Sequence, residues 1–156
     1  MTAPFHFTGP VPAATGTTFN VNVSRVSLIV YGTLVSMKNS KIQSVKHGRA
    51  YTFKNPAVVA YERDFSRQVR PEHKKNLGSL TVPLRATVTV FYPSRRQDLD
   101  CALLYDCLQT AGVVSNDRWI RCKTEYAMVD SANPRVEIFI RELADGELEA
   151  LADTHS

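Results

Sequence analysis

The stretch TVPLRATVTVFYP, residues 81–93, sets Leu84, Ala86, Val88, Val90 and Tyr92 at every second position and then stops at Pro93. Successive strand side chains point to opposite faces, so this alternation demands a strand with one face on a core. Immediately afterwards the period changes. In DLDCALLYDCLQTAG, residues 98–112, Leu104, Cys107, Leu108 and Ala111 recur at helical spacing and Gly112 supplies the stop. A half-buried strand that runs into an amphipathic helix commits the chain to helices layered on a sheet.

The remaining signals extend that unit. SRVSLIVYG, residues 24–32, is β-branched and reads as a first strand ending at Gly32, followed by a polar, basic loop. NPAVVAYERDFSRQVRP, residues 55–71, opens with Asn55 as N-cap and Pro56 at the first helical position. It repeats apolar residues at Val58, Tyr61, Phe65 and Val69 before Pro71. Two later strands, about 120–129 and 135–143, flank DSANP, whose composition predicts a hairpin turn. The predicted order is β-α-β-α-β-β, an α+β fold with a mixed sheet and two main helices. Residues 1–22 read as a flexible N-terminal tail, 23–143 as the folded domain and 144–156 as an acidic tail or short surface helix. At 156 residues, one such domain accounts for the chain without disulfides or a structural metal.

Charge narrows the partners. Residues 36–75 carry ten Lys or Arg against three Asp or Glu, whereas residues 142–156 carry five acids and neither Lys nor Arg. A basic segment of this density attracts polyanions through counterion release, which makes nucleic acid the first partner to consider; a solvated basic face is the plainer reading. Cys101, Cys107 and Cys122 contain no CxxC pair and are odd in number, against a disulfide framework or thiolate zinc site and in keeping with a reducing cytoplasm. The chain shows no signal peptide and no apolar run long enough to span a membrane. Its histidines lack nucleophile context, and its seven glycines form no phosphate-cradling motif, so no small-molecule cofactor is expected.

Asp98 and Asp100 sit at the junction between the strand and the helix, behind Arg95 and Arg96. Residues i and i+2 in extended chain face the same side, so both carboxylates can aim at one point, and Mg²⁺ takes one or two carboxylates with water and phosphate oxygens. An aspartate at a helix start is also an ordinary N-cap. The arginine pair, the basic loop and a third acid at Asp117 in the SNDR turn favour the metal reading.

The run RRQDLDCALLYDCLQTAGVVSNDRWI resembles the RusA-type Holliday junction resolvases, whose signature is a basic cluster leading into D-x-D-N, a helix, a glycine and an acidic turn. IVYGTLVSMKNSKIQ, GRAYTFKNPAVVAYERDFSRQV and RVEIFI extend the similarity over about residues 26–143. The resemblance implies a RusA-like homodimer that cuts four-way branched DNA by paired symmetric nicks in recombination and repair, in the cytoplasm, and is compatible with a phage or prophage source. It implies that Asp98, Asp100 and Asp117 are catalytic and bind Mg²⁺, or Mn²⁺ in its place. Phosphate contacts fall to Arg95, Arg96, Lys38, Lys41, Lys46 and Arg49. Two positions depart from the family pattern: Cys101 replaces an asparagine, and Leu104 stands where the family has a helix lysine expected one turn from Asp100, a role open to Lys38, Lys41 or another loop lysine. A catalytically impaired junction- or DNA-binding protein of the same fold is the alternative, and an assembly protein docking an acidic partner a third reading.

Overall fold

The computed structural model describes residues 23–39 and 41–154, so the predicted 1–22 tail lies outside the described residues. A four-stranded sheet runs in the order β1-β6-β4-β5, from β1 (Arg25–Tyr31), β4 (Leu84–Tyr92), β5 (Ile120–Val129) and β6 (Arg135–Glu142). β6 is antiparallel to both β1 and β4, and β5 is parallel to β4, so the sheet is mixed. Along β4 the burial alternates as the sequence pattern requires, with Leu84, Ala86, Val88, Val90 and Tyr92 all buried. Their neighbours Val26, Leu28 and Val30 on β1 and Val136, Ile138 and Ile140 on β6 complete the inward face.

Two helices share the core with that face. α1 (Pro56–Gln68) is capped by the Asn55 side chain, which accepts from the Ala57 amide at 2.9 Å, and it buries Val58, Tyr61 and Phe65. α2, a single turn (Pro71–Lys74), follows it. α3 (Ala102–Thr110) buries Leu103, Leu104, Tyr105, Cys107 and Leu108. Leu104 is fully buried, so the position that the family pattern gives to a helix lysine packs into the core here. No helix of the described residues is long and apolar enough to cross a membrane.

Three expectations need correcting. The predicted basic loop contains a two-stranded antiparallel ribbon, β2 (Lys41–Lys46) and β3 (Arg49–Lys54), closed by His47 and Gly48, both at positive φ (52° and 76°) as a two-residue hairpin loop requires. DSANP does not close a hairpin: β5 pairs with β4 alone, and the segment carries the chain across the end of β4 so that β6 inserts between β1 and β4. The acidic C-terminal segment forms α4 (Glu147–Thr154), and its Glu147 is buried, not a surface charge. The Glu147 carboxylate accepts from the Arg141 guanidinium at 2.5 and 2.8 Å and from the Ala144 amide at 2.8 Å, with Arg85 at 3.9 Å.

Candidate functional site

The connections beyond the Tyr92 end of β4 meet at one edge of the sheet. The Gly32 amide donates to the Pro134 carbonyl at 3.0 Å and the Asp130 amide to the Tyr92 carbonyl at 2.8 Å, which ties the loops after β1 and β5 to the end of β4. Pro93 ends the strand and Ser94–Gln97 turn before the chain reaches Asp98. Tyr92, buried up to its hydroxyl, holds that return: it donates to the Asp98 carbonyl at 3.1 Å and accepts from the Asp100 amide at 3.4 Å. The Asp-x-Asp segment is therefore positioned by the last core residue of the strand before it.

Asp100 joins two elements. Its Oδ2 accepts from the Ser36 hydroxyl at 2.7 Å and the Met37 amide at 3.0 Å, and its Oδ1 accepts from the Ala102 amide at 3.1 Å. The first two contacts come from the turn Met37–Asn39 and the residue before it; the third satisfies an amide at the start of α3. The Ser36 hydroxyl, then the Ala102 and Met37 amides and the Lys38 charge, hold the Asp100 carboxyl below its ordinary range against the opposing effect of partial burial. Asp98 is disposed differently. Its side chain is 85% exposed and its Oδ2 lies 3.2 Å from the Lys38 ammonium. Lys38 thus pairs with Asp98, and its charge also acts on Asp100, whose own oxygens are taken by Ser36, Met37 and Ala102.

This donor set fits a hard divalent ion: two carboxylates, one exposed and one held by neutral donors, within the range of one positive charge. Asp117 is placed elsewhere. It opens a 3-10 turn, Asp117–Trp119, capped by Asn116, and its amide donates to the Gln109 side chain in the last turn of α3 at 3.0 Å. Asp100 instead binds the first turn of α3, a nine-residue helix that spans roughly 13 Å. Among the described residues no three Asp, Glu, His or Cys side chains gather to hold a metal ion, so one chain brings Asp98 and Asp100 together and leaves Asp117 at the far end of the helix.

The predicted cations lie on the turn ahead of the pair and on the ribbon that follows Lys38. Arg95 and Arg96 are exposed in the turn ahead of Asp98, and Lys41, Lys46 and Arg49 are exposed on the ribbon that follows Lys38. None of these five makes an ion pair among the described residues, which leaves their charge available to a polyanion. Cys101 is buried, and burial, with Glu125 nearby, pushes its thiol up to about 12, so it is neither a nucleophile nor a ligand at neutral pH. Glu125 is not the plain surface acid its mid-strand position suggests, since it accepts from the buried Tyr105 hydroxyl at 3.1 Å. Sequence reasoning missed Ser36, the Met37 amide and Tyr92; the one available signal was a polar-tipped aromatic at the end of an apolar alternation.

The strand-to-helix junction thus carries two aspartates, with Lys38 against Asp98 and exposed basic side chains on the adjoining turn and ribbon. The endodeoxyribonuclease RusA family profile matches residues 32–141, and the chain belongs to that family. The family is one of endonucleases that resolve branched DNA junctions. Among curated proteins none matches the chain.

Proposed function

We propose that this protein is a Mg²⁺-dependent endonuclease that resolves four-way DNA junctions by paired symmetric nicks, working as a homodimer in the cytoplasm. The observation that carries the reading is the Asp98–Lys38 pair next to the Asp100 carboxylate that the turn Ser36–Met37 holds, with exposed basic residues on the adjoining turn and ribbon. Mg²⁺, with Mn²⁺ able to substitute, would be held by these two aspartates. When bound, it polarises the scissile phosphate and offsets charge on the leaving oxygen. Asp100, fixed by three donors, keeps the segment in place, while Asp98, with only Lys38 against it, is free to turn toward an incoming phosphate. Lys38 supplies a positive charge on the acid pair that Leu104, buried in the core, does not. Arg95, Arg96, Lys41, Lys46 and Arg49 hold the backbone phosphates, which position the DNA without reading its sequence.

Dimerisation has a separate support. Because α3 keeps Asp117 away from the acid pair of its own chain, a two-fold arrangement that sets Asp98 and Asp100 of one copy near Asp117 of a second would complete a three-acid site twice. The two sites would then face opposed strands of one junction. The same separation favours the second reading, a junction-binding protein with impaired chemistry, if the copies do not meet in that way.

Cleavage of a synthetic four-way junction, with linear duplex as control, separates these readings. Asp98→Asn is the informative variant, because Asp98 is exposed and holds no structural contact beyond Lys38. Symmetric nicks that require Mg²⁺ and are lost in both Asp98→Asn and Asp117→Asn support the resolvase. Tight, salt-sensitive junction binding without nicks selects the impaired binder, and no DNA binding at low salt rejects both.

A further inference from the structure

The β2–β3 ribbon is exposed on both faces along most of its length, which a two-stranded ribbon alone in water does not sustain well. Its register sorts the side chains. Directly paired residues share a side, so one side carries Lys46 opposite Arg49 at the tip, then Tyr51 beside Ser44, then Phe53 beside Ile42. Tyr51 and Phe53 are exposed and stack on each other, with centroids 5.6 Å apart and planes inclined by 27°. Phe53 also borders a concavity of about 330 Å³ at the base of the ribbon, lined by Met37, Lys41, Thr52 and Lys54 as well. Met37 is the residue whose amide holds Asp100, so the base of the ribbon, where Phe53 lies, adjoins the acidic pair.

We propose that this ribbon is a base-stacking arm: the Tyr51–Phe53 surface takes unpaired bases at the branch point of the DNA while Lys46 and Arg49 hold the adjoining phosphates. The proposal rests on the reading of the protein as a branched-DNA enzyme and adds the element that distinguishes a branch from plain duplex. Charge selects the occupant. Residues 32–61 contain five Lys or Arg and no acid, so a second ribbon brought against this one would meet like charge, whereas a nucleic acid meets opposite charge. Ring faces select it further. An intact duplex offers base edges in its grooves, whereas the flat faces that stack on exposed aromatics become available where bases are unpaired.

The test uses the full chain in EDTA, with three probes: a four-way junction carrying a fluorescent base analogue at the crossover, a linear duplex of the same length and a single-stranded oligo-dT. Tyr51→Ala/Phe53→Ala is expected to weaken junction and oligo-dT binding about tenfold or more, to abolish the change in base-analogue fluorescence on binding, and to leave duplex binding unchanged. Tyr51→Phe/Phe53→Tyr, which keeps both rings, is expected to bind as wild type. Thermal unfolding of the ring-retaining variant should coincide with wild type, whereas the double alanine variant, which loses a stacked pair only 42% and 37% exposed, should unfold somewhat lower, with unchanged duplex binding showing that it is folded. Junction and oligo-dT affinities that survive the double alanine variant overturn the proposal, as does a double alanine variant that sediments as a monomer where wild type is a dimer, because the ribbon would then join two copies. Failure of the nuclease reading is distinguishable: wild type would cleave no junction in Mg²⁺, yet loss of oligo-dT binding in the alanine variant would still sustain the stacking arm.

Discussion

Replacing Ser36 with alanine removes one donor from Asp100 and leaves both aspartates in place. The Ser36 hydroxyl donates to Oδ2 at 2.7 Å and also accepts from the Lys38 amide at 3.1 Å, so it holds the turn as well as the acid. A hydrogen bond to an ionised group contributes about 1.5–3 kcal/mol. Because Asp100 keeps the Met37 and Ala102 amides and is partly open to solvent, the loss belongs at the lower end, about 1.5 kcal/mol. For a chain of this size that lowers Tm by roughly 3–6 °C. The pH dependence gives the sharper check. The folded-state Asp100 carboxyl lies below its ordinary 3.8, so its contribution is fully present above that value and is lost as pH falls through the folded-state value. The difference between wild type and Ser36→Ala should therefore be complete at neutral pH and close in acid, below the ordinary carboxylate range. Urea unfolding followed by circular dichroism at both pH values measures it. A double-mutant cycle with Asp100→Asn should be non-additive by about 1 kcal/mol. Equal stability at neutral pH, or a gap that widens in acid, would refute the assignment of Ser36 as the principal donor.

Two further perturbations test the frame that holds the site. Glu147→Ala leaves Arg141 and Arg85 facing each other without their shared carboxylate and is expected to cost about 3 kcal/mol in urea unfolding at neutral pH. Arg141 holds the Glu147 carboxyl below its ordinary 4.5, so wild type and Glu147→Gln should converge as pH falls through the folded-state value; parallel curves down to that pH would count against the pairing. The Tyr61 hydroxyl is buried without a hydrogen-bond partner among the described residues, so Tyr61→Phe should leave stability unchanged or raise it by about 1 kcal/mol. A clear loss on calorimetry would reveal a partner for that hydroxyl.

What the sequence makes legible depends on whether an element has one face in the core. β4, α1 and α3 do, and Leu84 to Tyr92, Val58 to Phe65 and Leu104 to Leu108 carry a readable period. The ribbon has no buried face, so Lys41–Lys46 and Arg49–Lys54 show no alternation, and a His-Gly turn is a weak hairpin signal beside Asn-Gly or Asp-Gly. Strand pairing is likewise not local. Nothing in DSANP tells β6 to pass over β4 and pair on its other side, because that choice is made by Val136, Ile138 and Ile140 seeking the core that β1 and β4 share. At the candidate site the placing of Asp98 and Asp100 between the end of β4 and the start of α3 follows from the change of period in the sequence. The donors from Ser36 and Met37 do not, since they reach Asp100 from more than sixty residues away. The separation of Asp117, by contrast, follows from the helix that the sequence itself predicts between the two places, since nine helical residues set its ends roughly 13 Å apart.

The central place of β6 sets an order of events during synthesis. Among the described residues β1 has β6 as its only neighbour in the sheet, and their paired residues lie more than a hundred positions apart. The β1–β6 pairing must therefore wait until β6 has been made, and such distant pairing makes for slow closure. The turn that carries Ser36, Met37 and Lys38 hangs from β1, so it cannot settle against Asp98 and Asp100 on a nascent or prematurely terminated polypeptide. A fragment that already contains both aspartates has no assembled acidic junction. Assembly of the acidic junction is thereby tied to the synthesis of β6.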